Sequence, residues 1–550
     1  MISYPCILCR NDPRWVARFF GPSQPNLEAY VSGGIALVTP FTKSHRTAEE
    51  TLALGYLAAV LRHAGHDVSV VDGWLEALTL EELVDRIGAD GPPALVGMSC
   101  YQSNLHQAEQ VVQALRARYG DIPVICGGYG PTFHAEFFLK AGFTVAVIGE
   151  GEHIIVRLAE ALMNGTDLGS IPSIAFLKDG QMMETLRAEP IVDLDEIPFP
   201  SRDTVGHAIT RRNFVHVCTS RGCEAHCSFC SIFAFAAGGS SKLRWRHRGI
   251  TNIVDELEVL HREFGVSAFK IVDDSFIEPP RDEAWAEAFR DEILGRGLTI
   301  RFRTQVRADR LTPDIVRALS EAGWFSTAVG IENAAPTALR RMRKLASPED
   351  NEVALQLLEA HGVYVQMGMI LFDPDTTLDE LEINLGFLRR NRWPFTKGIF
   401  TEMYAAEGTP FTGRLGRRGL LVTANAQNYS YEVQDPTVRR VYEMLKSWHR
   451  AHSTVYDWVI DSLTAPKVLP DVAFRGAHAL CRQLQAMDLR FLETVLSRVS
   501  EAAIPSEDSE FVAEWIRTAE SFYVGIEEAI ARLYADIGLR YEAVPNPFLT

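Results

Sequence analysis

The sequence predicts an α/β protein in which a doubly wound parallel sheet is followed by a partial barrel and then by a helical C-terminal region. Short apolar runs alternate with amphipathic stretches from about residue 30 to 165, as in repeated strand–helix units. The alternation returns after Phe214, where six strand-like runs predict a partial or complete barrel. The chain from about Arg417 onward has the apolar periodicity of helices.

The domain boundaries follow from these patterns and from one segment rich in proline and acidic residues. Pro190, Pro198 and Pro200 interrupt helix and strand patterns in quick succession, which indicates a linker. A chain of 550 residues has room for three or four units at about 100–200 residues each. We predict a Rossmann-like doubly wound domain over residues 1–165, a linker over 166–212, a partial (β/α)6 TIM barrel over 213–416 and a helical cap over 417–550.

Charge and hydropathy argue against several classes of protein. Asp and Glu number 71 against 54 Lys and Arg, a net charge of −17, so the chain lacks the basic excess that binds nucleic acid backbones. No apolar run approaches the roughly 18–20 residues that span a bilayer, and the first residues do not read as a secretory signal. We therefore expect a cytoplasmic protein with no nucleic-acid or membrane partner.

The first predicted sheet offers a ligand site at the carboxyl ends of its strands. Open parallel sheets bind ligands there, and glycines let the backbone approach a bulky flat molecule. No G-x-G-x-x-G follows the first strand, so a nicotinamide site has little support. The alternative is that these are ordinary turn residues. The candidate residues are Ser99, Tyr101, Ser103, Gly127, Gly128, Tyr129, Gly149 and Glu150.

The cysteines carry the most specific signal. Nine cysteines, an odd and sparse number, argue against a disulfide framework and favour metal or thiol chemistry. Three of them form Cys223-x-x-x-Cys227-x-x-Cys230 directly after the first barrel strand. Thiolates are the usual protein ligands of 4Fe-4S clusters, and three thiolates leave one iron open to a small molecule. Two alternatives stay open: one buried face of a helix, or a zinc site completed by Cys218 or His226.

This cysteine loop at the start of a six-strand barrel resembles the radical S-adenosylmethionine superfamily, and Phe229 fits the aromatic residue usual before the third cysteine. The resemblance implies that the open iron binds S-adenosylmethionine and that an electron, from a donor such as flavodoxin or ferredoxin, cleaves it to a 5′-deoxyadenosyl radical. It also implies cofactor contacts at the strand ends, although helix capping is the ordinary role of such residues. These contacts are Asp273 and Asp274 at the methionine amino group, Gln305, Arg307 and Glu332, and Ile370 near the adenine.

A doubly wound domain placed before such a barrel resembles the cobalamin-binding subfamily, and the resemblance covers about residues 30 to 415. The family's D-x-H-x-x-G motif is absent between Asp67 and Gly130, which leaves the lower cobalt ligand undetermined. Structural turns remain the competing explanation for the residues concerned. The resemblance implies that Tyr101, Gln102, Ser103 and Asn104 line the lower face of the corrin, and that Gly127, Gly128, Tyr129, Gly149 and Glu150 lie near the nucleotide tail.

Together the two resemblances imply methyl transfer from S-adenosylmethionine, through methylcobalamin, to a carbon of a small molecule in natural-product or antibiotic biosynthesis. The three cysteines would carry the electron chemistry, with Glu402 and Tyr404 facing the substrate. We expect a monomer. A rearrangement, ring contraction or cyclisation with the same cofactors is the first alternative, and a non-catalytic cobalamin or iron–sulfur sensor is the second.

Overall fold

The computed structural model describes residues 33–41, 48–236, 244–425, 428–464, 468–501 and 504–538. The chain divides into two compact units. The first comprises residues 1–211 with 220–222 and 232–256, and the second comprises the remaining residues. None of the described helices has both the length and the apolarity that crossing a membrane requires.

The strands and helices alternate over most of the described chain. The strands are β1 (Ile35–Thr39), β2 (Val68–Asp72), β3 (Leu95–Ser99), β4 (Val124–Gly127), β5 (Val145–Val147), β6 (Ile174–Lys178), β7 (Gln181–Glu184), β8 (Val215–Val217), β9 (Ser220–Gly222), β10 (Trp245–His247), β11 (Ala268–Ile271), β12 (Arg301–Arg307), β13 (Trp324–Glu332), β14 (Tyr364–Met369), β15 (Val422–Asn425) and β16 (Asn428–Ser430). The α-helices are α1 (Leu52–His63), α2 (Leu80–Ile87), α3 (Leu105–Tyr119), α4 (Tyr129–Lys140), α5 (Ile155–Asn164), α6 (Val205–Thr210), α7 (Ile232–Ala236), α8 (Ile250–Phe264), α9 (Glu283–Gly295), α10 (Pro313–Glu321), α11 (Pro336–Met342), α12 (Pro348–Ala360), α13 (Leu378–Arg390), α14 (Pro410–Arg417), α15 (Pro436–Thr464), α16 (Asp471–Ser500) and α17 (Asp508–Asp536).

The first unit contains the predicted doubly wound sheet. Its strand order is β2-β1-β3-β4-β5-β6-β7, with β1 to β5 parallel. Alternate residues pack on opposite faces, so that Val38 and Val96 belong to one apolar core and Leu37 and Leu95 to the other. The strand order reverses between β1 and β3, and ligands of such sheets bind at the carboxyl ends beside this reversal.

The predicted linker contains more structure than its composition indicates. β6 and β7 lie within residues 166–212 and extend the first sheet as antiparallel strands. β7 was not predictable from apolar alternation, because it is exposed along its whole length.

The second unit contains a parallel sheet of order β14-β13-β12-β11-β8. The sixth strand is predicted over residues 397–404, but the chain there forms no continuous ladder. Isolated bridges join Gln366 of β14 to Phe395, just before this stretch, and Phe372, just beyond β14, to Glu402. Pro394 lacks the amide hydrogen that a ladder needs, and Gly398 turns the backbone at a positive φ of 90°. The unit is therefore a partial barrel, as predicted, whose last strand is irregular.

The C-terminal region is helical, as predicted, apart from the short antiparallel pair β15–β16. Helices α15, α16 and α17 pack around Trp448, which is fully buried and stacks on Phe491 with ring centroids 4.3 Å apart. The ring of Tyr523 meets Trp448 edge-on at 5.8 Å, so each helix contributes an aromatic side chain to the same core.

Candidate active site

The three motif cysteines lie in a non-helical loop that follows the carboxyl end of β8. The described chain has no helix between β9 and Ile232, so the cysteines are not one face of a helix. All three are half-buried and free of disulfides. The backbone of Ser228 links the loop to two other segments. Its N–H donates to the Met342 oxygen (2.8 Å), and its carbonyl accepts from Phe411 N (2.7 Å).

Cys223 contacts a buried carboxylate that the sequence analysis did not identify. Its Sγ lies 3.4 Å from Oε1 of Glu278, a fully buried residue that also accepts from Arg307 Nη1 (2.9 Å) and Arg310 Nε (3.0 Å). Burial, followed by the Glu278 charge, raises the pKa of the Cys223 thiol to about 12. No motif marks Glu278, because its partners lie 29 and 32 residues later in the chain.

A second buried cation, in addition to Arg307, influences the pKa of Cys227. Lys344, also missed from the sequence, pairs with Glu332 at 3.0 Å, and its side chain is only 6% exposed. Burial raises the pKa of Cys227, while the positive charges of Lys344 and Arg307 oppose that rise. Arg307 acts on Cys223 and Cys227 and Lys344 acts on Cys227, although each cation is also paired with a carboxylate, Glu278 or Glu332. Three half-buried thiols in one loop, two of them near a cation, fit the thiolate ligands of a 4Fe-4S group.

The geometry differs from that of a single-metal site. Across the described residues, no three His, Cys, Asp or Glu side chains converge on one metal ion. An iron–sulfur cubane needs no such convergence, because each thiolate binds a different iron and the sulfurs stay further apart. The zinc alternative does need a closed set of four convergent ligands, and the described residues offer none.

Asp273 and Asp274 are neighbours with opposite surroundings. Asp273 is fully buried and accepts hydrogen bonds from the Thr219 N–H (2.6 Å) and hydroxyl. Arg281 donates to the Thr219 carbonyl (2.8 Å) and reaches Asp273 at 3.5 Å, so this pair holds the segment that enters the cysteine loop. Asp274 is exposed and is the one of the two that a ligand could reach.

The remaining predicted residues of the second unit lie at the same edge of the sheet. Gln305 is exposed and shares a strand face with Arg307. Ile370 donates its N–H to the Glu332 carbonyl at 2.6 Å, and Phe229 and Ile370 pack on one apolar cluster. Glu402 and Tyr404 are exposed. Their roles toward cofactor or substrate stay predictions, as do those of the three cysteines.

The first unit places most of its predicted residues at the carboxyl edge of its sheet. Tyr101 is 45% exposed there, and its N–H donates to Asn104 Oδ1 (2.9 Å) in the turn Gln102–Asn104, which begins one residue before Ser103. Gly128 has φ of 103°, and a Cβ there would lie 2.8 Å from the Cys100 oxygen. The glycine is therefore required by the close approach of the Cys100 backbone, while the exposed Tyr101 ring offers a flat surface on which a corrin could lie.

The other members of this set are positioned as follows. Ser99 ends β3, Gly127 ends β4, and Tyr129 begins α4 with its ring stacked on Phe235 at 4.2 Å. Gly149 donates its N–H to Thr132 Oγ1 at 2.9 Å. Contact with the nucleotide tail stays a prediction for these residues.

The side chain of Glu150 has protein partners that the sequence analysis did not identify. Both of its carboxylate oxygens bind Arg246, at 2.6 and 2.9 Å, and Arg221 pairs with the neighbouring Glu152 at 2.6 Å. The sequence could not reveal the Glu150 pairing, because Arg246 lies 96 residues away. The position of Glu150 near the nucleotide tail stays a prediction.

Gly222, the residue before Cys223, offers a test of the local backbone. Its φ is 87°, and a Cβ would collide with the Arg244 oxygen across the β9–β10 pair. We expect Gly222→Ala to lower the free energy of unfolding by roughly 3 kcal/mol, from backbone strain and steric overlap. Urea unfolding checks this against Gly206→Ala, whose added methyl meets nothing within 4 Å. Equal effects of the two substitutions would contradict the steric explanation.

Comparison with known proteins agrees with this geometry. The B12-binding domain family matches residues 43–159, and the radical SAM superfamily matches residues 217–388. An uncharacterised methyltransferase of Pyrococcus horikoshii is 28% identical over 406 residues, 72% of this chain and 86% of the relative. An anaerobic magnesium-protoporphyrin IX monomethyl ester cyclase of Synechocystis sp. is 30% identical over 334 residues, 59% of this chain and 65% of the relative.

A solved structure extends the comparison to nearly the whole chain. The cobalamin-dependent S-adenosylmethionine radical enzyme OxsB, with aqua-cobalamin and S-adenosylmethionine bound, has a TM-score of 0.76 over 96% of this chain and 89% of its own, at 18% identity. At that identity the likeness shows a shared fold.

Fold and site together define a radical S-adenosylmethionine protein with an N-terminal B12-binding domain. The chain therefore contains a B12-binding domain and a radical SAM domain, and these two domains imply cobalamin, a 4Fe-4S cluster and S-adenosylmethionine as cofactors. The family, the fold class and the cofactors predicted from the sequence are confirmed.

Proposed function

We propose that this enzyme is a C-methyltransferase that moves a methyl group from S-adenosylmethionine to a carbon of a small molecule. The observation that carries the proposal is a loop with three half-buried cysteines that form no disulfide, with Arg307 and Lys344 near Cys227, in a chain whose first domain matches the B12-binding family. When bound, the cluster and S-adenosylmethionine supply a radical initiator and cobalamin supplies a methyl carrier.

The chain's own residues position these groups. Burial raises the pKa of Cys227, and the positive charges of Lys344 and Arg307 oppose that rise, so both cations favour the thiolate form of this residue. The buried Asp273–Arg281 pair fixes Thr219, four residues before Cys223, which limits how far the loop can move. The exposed Glu402 and Tyr404 remain available to a substrate.

The test is product analysis with anaerobically reconstituted protein and a chemical reductant. We expect one CH2 added to the substrate, with S-adenosylhomocysteine and 5′-deoxyadenosine formed in roughly equal amounts, because one S-adenosylmethionine donates the methyl group and a second is cleaved. Comparing extracts with and without the protein identifies the product by mass. Protein that holds cluster and cobalamin but forms no S-adenosylhomocysteine would contradict methyl transfer.

A second candidate is a rearrangement or cyclisation with the same cofactors. The observation in its favour is the relative named as an anaerobic cyclase, which at 30% is slightly more identical to this chain than the relative named as a methyltransferase, although over a shorter span. A product with no added CH2, formed without S-adenosylhomocysteine, would support this candidate. A flavodoxin- or ferredoxin-like electron donor, a natural-product substrate and a monomeric state stay predictions under either candidate.

A further inference from the structure

Residues 402–404, in the sixth strand-like stretch of the barrel, include side chains to which neither the cluster nor S-adenosylmethionine assigns a role. The bridge between Phe372 and Glu402 places Glu402 beyond the carboxyl end of β14, at the same edge as the cysteine loop. Burial alternates along the segment: Met403 is buried at 1% exposure, whereas Glu402 and Tyr404 are exposed, Tyr404 at 57%. Glu402 and Tyr404 thus face away from the core.

Helix α15 completes this surface. Tyr442 donates its hydroxyl hydrogen to Glu402 Oε2 at 2.8 Å. The Tyr442 ring also meets the rings of Phe372 and Phe400 edge-on, at 5.3 and 5.1 Å. Burial and the Glu402 charge raise the pKa of Tyr442, so the phenol keeps its proton and remains a donor.

One helical turn further along α15, Lys446 adds a positive charge. Its Nζ donates to the Tyr442 oxygen at 3.4 Å and lies 5.1 Å from the centre of that ring. No carboxylate in the described part of the chain forms an ion pair with Lys446. An ammonium group has three donors, so at least one N–H of Lys446 is available to a ligand.

The surface therefore holds a carboxylate and an ammonium group separated by one phenol oxygen. Oε1 of Glu402 accepts no hydrogen bond from the described residues, because Tyr442 binds Oε2. A ligand with an ammonium group could bind Glu402 while its carboxylate bound Lys446, each through a charge-assisted hydrogen bond. A ligand with only one of these charges would leave the other protein charge unmatched, which is the basis of selectivity.

We propose that Glu402, Tyr442 and Lys446 recognise a small molecule that carries both an ammonium and a carboxylate group, so that the substrate of this enzyme is an amino acid or a close derivative. The inference rests on the function proposed above, because it names the substrate class of the same site. Phe400 and Tyr404 provide aromatic contact surface for the apolar part of that molecule.

The test is direct binding of three probes to the reconstituted protein, followed by saturation-transfer NMR. L-Phenylalanine carries both charges, L-phenylalaninamide lacks the carboxylate, and 3-phenylpropionate lacks the ammonium group. We expect phenylalanine to bind about tenfold or more tightly than either analogue, as for one lost charge-assisted hydrogen bond.

Two variants test which charged group of the protein binds which charged group of the probe. Lys446→Gln should weaken the binding of phenylalanine and of 3-phenylpropionate by about tenfold. It should leave the affinity for phenylalaninamide within about twofold of the wild-type value. Glu402→Gln should weaken the binding of phenylalanine and of phenylalaninamide, and it should leave the affinity for 3-phenylpropionate unchanged. Lys397→Gln and Glu359→Gln are the matched controls, since both residues are exposed and neither belongs to the trio. The controls should leave all three affinities within about twofold.

The probe-specific pattern separates recognition from damage to the fold, because a misfolded variant would lose all three probes alike. Wild-type protein that binds the three probes equally, or binds none, overturns the inference. So does a loss in either variant that is the same for every probe. Reductive cleavage of S-adenosylmethionine in the same preparation is measured separately, so a failure of the proposed function is distinguishable from a failure of substrate recognition.

Discussion

Cys227→Ser is expected to remove the iron–sulfur cluster and to lower reductive cleavage of S-adenosylmethionine by roughly a thousandfold or more. A hydroxyl does not replace a thiolate as a cluster ligand, and the loop has no fourth cysteine beside Cys223, Cys227 and Cys230. General acid–base side chains supply only about 100–10,000-fold acceleration, and they cannot replace a radical cofactor. Iron and sulfide per chain, together with 5′-deoxyadenosine formed per chain, measure the effect.

Cys218→Ser is the matched control. Cys218 is also half-buried and free of disulfides, and it lies five residues before the motif. We expect this variant to keep its iron and sulfide. Loss of metal from Cys218→Ser as well as from Cys227→Ser would indicate a four-ligand site and would overturn the three-cysteine assignment.

Wild-type protein should lose on the order of 4 kcal/mol of stability in its helical region between about pH 4 and pH 7, relative to Asp488→Asn. Asp488 is buried between α15 and α16, where it accepts a hydrogen bond from Trp448 Nε1 at 2.8 Å, and burial raises its pKa from 3.8 to about 7. Below the unfolded-state value both states hold the proton, so stability is then highest. As pH rises, the unfolded chain releases the proton first, and folding is disfavoured until the folded state also ionises.

Hydrogen exchange of peptides from Asp471–Ser500, corrected for the intrinsic rate at each pH, isolates the helical region from the rest of the chain. Asp488→Asn should remove the pH dependence, because an amide does not titrate in this range. Asp536→Asn, at an exposed position near the end of α17, should keep the wild-type profile. Parallel profiles for wild type and Asp488→Asn would show that the Asp488 carboxyl does not retain its proton.

Much of the fold was predictable because it depends on local patterns. The alternation of β1 to β5 with α1 to α5 follows from apolar periodicity, which is repeated many times and so tolerates local exceptions. β7 and the sixth barrel strand were harder, because one is exposed along its length and the other is interrupted by Pro394 and Gly398. Their pairing depends on neighbouring strands rather than on their own composition.

For the candidate site too, one part was predictable from the sequence and another part was not. The spacing of Cys223, Cys227 and Cys230 is a property of one short segment, so the sequence was sufficient to propose the cluster. The alternating strand-like runs predicted the barrel, and the resemblance to a known family implied the class of chemistry. The surroundings of those thiols arise only when distant segments meet: Glu278 with Arg307, Lys344 with Glu332, and Glu150 with Arg246. In each of these pairs one partner lies on a strand, Arg307, Glu332 or Arg246, and the other lies in a loop, so the pairing depends on strand register and on the path of a distant loop. The three-dimensional structure therefore decided which charges flank the thiols, and which polar groups at the barrel edge remain available to a substrate.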